Sequence, residues 1–422
     1  MKKYIIFLIF FTSESVAQTR LTLEECYQLA QQNYPLVRQR ELVKSSNLLS
    51  INTLEKNYLP QIELNAQATY QSEVTSFPIK LPNIEVEPLS KDQYKATLDA
   101  RQLVWDGGVI AKQREVLKAG SNVELQKVEV EVAKLKERVN QLYFNVLQVE
   151  ENVKLIDLLK SDLGARIKKI QAGIDNGTVL KRDLQTLEAE NFKADQRIVE
   201  LKSMKQASIR MLKILLNKDI DAQTIFERPI LRGDDSASSL KFNRPELTLF
   251  DLQKQQTDKQ LKIMELKNFP RISAFATLGY GKPGLNFLKN EFSTYSLGGV
   301  IFKWNLSDFY TKTLRNDLDI IKINTQIIDI QRDVFIQNTN MILEQQSEGV
   351  QKLNALIETD KKILDLRGKI KTTAAVQLDN GISTANDYLI ELNAEAQARE
   401  QLALHELQLL QAYVNLKTTK GN

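Results

Sequence analysis

The chain has 422 residues, with 57 Lys and Arg against 53 Asp and Glu, a net charge of +4 that is weak, well mixed and unlike a dedicated nucleic-acid surface. One histidine, His405, and one cysteine, Cys26, cannot assemble an ordinary zinc site or a Ser-His or Cys-His nucleophile pair. The expectation is a protein that is not an enzyme, with no metal, no cofactor and no nucleic-acid partner.

At the start, Lys2 and Lys3 precede an apolar run from Tyr4 to Phe11, and Ser15-Val16-Ala17 offers small residues at the positions a signal peptidase reads. Residues 1–17 read as a signal peptide, with a mature chain beginning near Gln18. That run is far below the roughly 20 apolar residues a membrane-spanning helix needs, and no later segment comes closer. Any membrane crossing must therefore use strands. Cys26 lacks the small-residue run of a lipoprotein cysteine and reads as a packed small hydrophobe, while His405 reads as a helix-surface residue.

After Asn57-Tyr58-Leu59-Pro60, from Gln61 to Val74, even positions are apolar or small and odd positions polar, a strand with one face for oil and one for water. Tyr94 to Arg101 repeats the alternation beyond a turn holding Pro78, Pro82 and Pro88, so the two form a β-hairpin. Glu63, Glu73, Lys95, Asp99 and Arg101 are its water-facing charges.

From Gly107 to Arg228 there is no proline, helix formers dominate, and the apolar positions keep a heptad. The seam runs Val128, Val132, Leu135, Val139, Leu142, Val146, Val149, Val153, Ile156, Leu159, Leu163, Ile167, Ile170, which predicts coiled-coil packing. A helix from Gly108 to about Ala172 would be roughly 65 residues and near 100 Å long. A partner after Thr178, carrying Leu180, Leu184, Leu187, Asn191, Ala194, Ile198 and Leu201, completes an antiparallel hairpin. Asp219 to Asn243, with Gly233-Asp234-Asp235-Ser236, reads as a polar connector.

A weaker strand pair follows near Arg271 to Tyr280 and Thr294 to Phe302, where Phe275 and Phe302 interrupt the polar face. The next helical tract keeps a seam at Ile320, Ile323, Ile327, Ile330 and Val334, then meets Gln337, Glu344 and Glu348, which suggests a wet or weakly specified stretch.

These elements occur twice, about 200 to 210 residues apart. Asn57-Tyr58-Leu59-Pro60-Gln61-Ile62 returns as Asn268-Phe269-Pro270-Arg271-Ile272, and Trp105-Asp106 as Trp304-Asn305. Asp175-Asn176-Gly177 with Asp183 returns as Asp379-Asn380-Gly381 with Asp387. The organisation is a first repeat over 18–217 (helix, hairpin, long helix, tip, helix), a connector over 218–243, and a second repeat over 244–422.

Four strands cannot close a barrel, and an open edge in a bilayer leaves backbone groups unpaired at several kcal/mol each. Copies must pool their strands. Two would give eight strands around a filled interior, and three would give twelve with room for water, so a trimer is the smallest sensible count. Tyr58, Trp105, Phe269 and Trp304 at the helix-side junctions, with Tyr70, Phe77, Tyr94, Tyr280 and Tyr295 towards the other end, bracket the strands as membrane-interface aromatics do.

On this duplicated architecture and its paired glycine tips, the chain resembles the TolC family of outer-membrane efflux and secretion channels over essentially its whole mature length. The resemblance implies a mainly α protomer with a small β part, whose long coiled-coil α-hairpins and four transmembrane β-strands join those of two further copies. It implies a homotrimer in the outer membrane of a Gram-negative bacterium, surrounded by outer-membrane lipid, with a tunnel into the periplasm and an equatorial region built by the termini and the connector. The function it implies is a passive exit duct of a tripartite efflux pump or type I secretion system. Its implied partners are a periplasmic adaptor protein and an inner-membrane transporter of the RND or ABC type.

By the same resemblance, Asn176-Gly177-Thr178 and Asn380-Gly381-Ile382 are adaptor-contacting tips, and Asp387 and Asp183 are pore-constriction carboxylates. The chain departs from the family's pattern at Ile390, Ser383 and Leu378, which stand where the best-known member has an aspartate, a latch arginine and a tyrosine. The closing latch must differ in detail, and Lys181 and Arg182 are the expected positive partners of Asp387. A periplasmic adaptor also combines a signal peptide, a coiled-coil hairpin and β-structure, but with one hairpin rather than two.

Overall fold

The computed structural model describes residues 20–75, 88–177, 179–221, 223–230 and 243–421. The expected signal peptide, Phe77, Pro78, Pro82, Thr178 and Gly233-Asp234-Asp235-Ser236 lie outside the described residues. In chain order the elements are β1 (Arg20–Leu21), α1 (Leu23–Asn33), α2 (Gln39–Glu55), β2 (Gln61–Tyr70), β3 (Asp92–Trp105), α3 (Val109–Asp175), α4 (Lys181–Leu216), β4 (Ile225–Phe226), α5 (Pro245–Glu265), β5 (Arg271–Lys282), β6 (Ser293–Lys303), α6 (Asp308–Thr311), α7 (Thr313–Asp379) and α8 (Ala385–Lys420). No described helix is long and apolar enough to cross a membrane.

The chain divides into two compact units, one from residues up to Arg38 with Glu129–Pro245 and Phe335–Asn422, the other from Gln39–Val128 and Glu246–Val334. Each sequence repeat contributes to both. The second unit holds a four-stranded antiparallel sheet in the order β2-β3-β5-β6. At the β3–α3 junction Asp106 is buried, and its carboxylate accepts from the backbone N–H of Gly108 at 2.9 Å and of Ile110 at 2.6 Å. These are helix-start donors with no intrahelical partner. Asn305 accepts from Ser307 N at 3.1 Å, so the repeated Trp-Asp and Trp-Asn pairs are the same device, a strand end followed by an Asx turn. Gly107 adopts φ +74, and a Cβ there would lie 2.7 Å from the Cβ of Phe269. Nearby, Lys112 and Lys259 hold Glu115 at 2.7 and 2.9 Å, keeping its carboxyl well below the usual range, at about 2.

The first unit contains two helical hairpins, α4 with the part of α3 from Glu129 onward and α8 with the part of α7 from Phe335 onward, while the earlier turns of α3 and α7 belong to the second unit. Both α3 and α7 run 67 residues, against roughly 65 expected for the first. The α3 seam is as expected: Val128, Val132, Leu135, Val139, Val146, Val149, Leu163 and Ile170 are buried and the remainder half-buried. At one end of this unit Cys26 packs with Tyr143, Leu212 and Leu216. Tyr143 is fully buried and its hydroxyl reaches the carbonyls of Leu21 at 2.8 Å and Glu227 at 2.6 Å, fastening α3 to the short parallel pair β1–β4. Burial pushes the Tyr143 hydroxyl's pKa far upward.

Four expectations need correction. The α7 seam is not an internal one: Ile320, Ile323, Ile327, Ile330 and Val334 are 45 to 62% exposed. The packed face is offset from it and runs Leu314, Leu318, Ile321, Thr325 and Ile328, then Phe335, Thr339, Leu343, Val350, Leu353 and Ile357. Glu344 and Glu348 therefore interrupt the outer face, and the inner seam continues past them. Leu180 is no seam residue either; it is exposed at the N-cap of α4. His405 is not on the helix surface, because its Nδ1 lies 2.5 Å from the buried carboxylate of Asp360 across the α7–α8 contact. Phe302 pairs with Ile272 on the apolar face of the sheet and does not interrupt the polar one.

Candidate functional site

The sheet sorts its side chains by register. On one face Gln61 lies opposite Arg101, Glu63 opposite Asp99, Asn65 opposite Thr97 and Gln67 opposite Lys95. Asp99 accepts from Thr277 Oγ1 at 2.5 Å, Thr97 Oγ1 at 2.8 Å and Asn65 Nδ2 at 3.0 Å, so this face is a fixed polar network spanning three strands. Glu73 lies beyond the end of β2. Phe275 and Tyr295 also stand on this face, where each ring lies against a glycine of the neighbouring strand, Gly299 and Gly279. A Cβ at Gly279 would fall 2.1 Å from the Tyr295 ring, so the rings lie flat against the wall only because the glycines leave room.

On the other face Leu64, Leu98 and Leu278 form one row and Ile62, Ala100 and Ala276 the next. Leu64 is 77% exposed and Leu278 60%, an apolar surface with nothing over it among the described residues. The four expected interface aromatics stand exposed at the helix-side rim. Trp304 Nε1 donates to Asn268 O at 2.9 Å, and its ring sits edge-on between Phe302 and Phe309. Among the described residues β2 and β6 each pair on one side only.

The hairpin tips share one geometry. Gly177 and Gly381 have φ of +73 and +69, and open space surrounds the position a Cβ would take. Gly177 N donates to Ile174 O at 2.9 Å, Gly381 N to Leu378 O at 3.1 Å and Ile382 N to Gln377 O at 2.9 Å, satisfying the last helix carbonyls through left-handed caps. Ile382 projects into solvent. Asp387 forms a capping box: its carboxylate accepts from Thr384 N at 2.9 Å and Oγ1 at 2.7 Å, while its own N–H donates to Thr384 Oγ1 at 3.2 Å. Those bonds hold its carboxyl below the usual range.

The structure does not bring Lys181 or Arg182 to Asp387 within the protomer; Arg182 Nε approaches Asp183 at 3.9 Å. Charged contacts that join the two hairpins lie elsewhere, one of them Lys371 on α7 with Asp162 on α3 at 3.1 Å. Asp379, at the end of α7, is held by Arg166 and, at 2.7 Å, by Lys169, both on α3. Desolvation works to raise the Asp379 pKa, but the two cations outweigh it and the carboxyl stays low. The Arg166 guanidinium also lies 4.7 Å from the Tyr388 ring centroid, so one side chain touches α3, α7 and α8. Beside it a core of Leu163, Ile170, Leu184, Leu187, Ala374, Tyr388 and Leu392 closes the tip region. Sequence reasoning marked Asp379 as part of a repeated motif but had no spacing to connect it with Arg166, 213 residues away. No group of three or more potential metal ligands occurs among the described residues.

No protein-family model and no curated protein matches the chain. Solved structures do. A membrane protein from Pseudomonas aeruginosa is 15% identical with a TM-score of 0.69, the match covering 94% of this chain and 90% of that one. The outer membrane protein VceC of Vibrio cholerae is 15% identical over 95% of this chain and 96% of its own, TM-score 0.66. The open-state MtrE outer membrane channel of Neisseria gonorrhoeae is 16% identical over 95% and 89%, TM-score 0.66. By fold, therefore, the chain is similar to these outer-membrane channel structures along nearly its whole length. The architecture is the TolC-like one, with two α-hairpins where an adaptor has one.

Proposed function

We propose that the protein is the outer-membrane exit duct of a tripartite efflux pump or type I secretion system in a Gram-negative bacterium. The observation that carries this reading is the β2-β3-β5-β6 sheet, which has one apolar face, one polar face and, among the described residues, two unpaired edges. In lipid such a sheet is stable only when its edges are closed by further copies. Three copies make a twelve-stranded barrel, which leaves room for water beside Glu63, Lys95, Asp99 and Arg101. The second apolar face of α7 supports the same assembly, since nothing among the described residues covers it.

The duct is passive, and energy comes from an inner-membrane transporter of the RND or ABC type through a periplasmic adaptor. The adaptor meets the glycine-capped tips through Asn176, Gly177, Thr178, Asn380, Gly381 and Ile382. Asp183 and Asp387, repeated by symmetry, form the constriction and favour cations. In place of a latch through Lys181 and Arg182, Arg166–Asp379–Lys169 is the contact beside the tips suited to hold the hairpins together.

Single-channel recording in planar bilayers tests the reading. Wild-type protein should conduct with a small closed-state current, Asp387→Ala should reduce cation selectivity, and Arg166→Ala or Asp379→Ala should raise the closed-state current. Absence of any conductance from correctly assembled protein would overturn the proposal.

A further inference from the structure

The β5–β6 connection, residues 283–292, leaves the sheet at the end opposite the α3 and α7 junctions. It has a fixed conformation. Asn286 closes a turn, its carbonyl accepting from Lys289 N at 3.2 Å and its side chain from Leu288 N at 3.1 Å. Asn290 Oδ1 accepts from Ser90 N at 3.0 Å and Ser90 Oγ at 2.9 Å, tying the loop to the residues before β3. So held, the loop keeps Leu285, Phe287 and Leu288 exposed.

Phe292 turns back onto the sheet, its ring stacked on Tyr280 at 5.4 Å with 18° between planes and 6.0 Å from Tyr94. The register puts Tyr280 opposite Ala96 and Tyr94 opposite Ala68, which is the apolar face. The aromatic trio thus adds a layer to the apolar band of Leu64, Leu98 and Leu278, and the loop's exposed apolar side chains continue it outward. Lys282 precedes the loop and Lys289 lies within it, 3.4 Å from Glu291, and their long stems suit the level of lipid phosphates.

We propose that this loop is a lipid anchor, with Phe287 and Leu288 seated at the boundary between headgroups and acyl chains of the outer leaflet. The occupant is lipid rather than a second copy because the aromatic stack lies over β3 and β5, the inner strands, and not along the β2 or β6 edges where another copy must pair. The inference rests on the outer-membrane reading.

The test uses full-length protein reconstituted in phosphatidylcholine vesicles whose acyl chains are brominated near the headgroup. Leu288→Cys carries a fluorophore, as does Leu64→Cys on the apolar sheet face; Cys26 is fully buried, and labelled wild type gives the background. The anchor predicts that both probes lose most of their emission to bromolipid and are shielded from aqueous iodide. A Leu288→Cys probe quenched by iodide alone, beside a lipid-quenched Leu64→Cys probe, overturns the anchor and leaves the channel standing. Shielding of the Leu288→Cys probe from both quenchers indicates contact with another copy and also overturns it. An unquenched Leu64→Cys probe overturns the outer-membrane reading itself. Phe287→Cys repeats the measurement should Leu288→Cys fail to assemble.

Discussion

Asp379 and Asp387 lie eight positions apart and do different work. The first bridges hairpins through Arg166 and Lys169, and the second caps α8 through Thr384. Both carboxyls sit below their ordinary values, so each contributes stability above the unfolded-state pKa and loses it as pH falls through the lower folded value. Hydrogen exchange at Asn380, Gly381 and Ile382, corrected for intrinsic rates, should therefore speed up below about pH 4. Asp379→Asn should shrink that step and the double change with Asp387→Asn remove it; an undiminished step in the double variant would contradict the assignment. In the core, Tyr143→Phe removes the hydroxyl that serves Leu21 O and Glu227 O, and should cost about 1–3 kcal/mol in a denaturant titration. Little of this was legible beforehand. Asp387 was found through the repeat, but a capping carboxylate and a pore carboxylate share one spacing, and neither Tyr143 nor Arg166 belongs to any local pattern. His405 was misplaced for the same reason: its partner, Asp360, is 45 residues away on another helix.

Helices and strands were far easier to read, because their periods are written in consecutive residues. The α3 heptad predicted its buried face position by position, and alternation from Gln61 to Tyr70 predicted which side chains share a face in β2. The α7 seam misled because that helix is apolar on two faces, and periodicity does not tell which one packs within the chain. The two-residue strands β1 and β4 have no period at all. At the boundaries, Asp106→Ala should cost about 1–2 kcal/mol, since two N–H groups lose their acceptor, and Asp106→Asn should recover most of it. Gly177→Ala and Gly381→Ala should each cost about 1 kcal/mol, from backbone strain alone because the surrounding space is open. Urea titration of detergent-solubilised protein measures all of these, and an unchanged midpoint for Gly381→Ala would contradict the left-handed cap.

For the molecule as a whole, the repeat and the change of period were enough to reach the TolC-like fold, while assembly has to be argued from what one chain leaves uncovered. Among the described residues two surfaces point the same way: the sheet with unpaired edges, and the outer face of α7 at Ile320, Ile323, Ile327, Ile330 and Val334. Ile327→Asp puts a charge into that second face and should weaken the oligomer, read as a shift toward single protomers in size-exclusion chromatography, with helix content unchanged. A variant eluting like wild type would remove α7 from the interface.

Whether copies complete the barrel is read out by native mass spectrometry of protein extracted from outer membranes into detergent. Three protomers should travel as one species that requires detergent to stay in solution. A monodisperse single protomer, stable in aqueous buffer without detergent, would contradict that assembly.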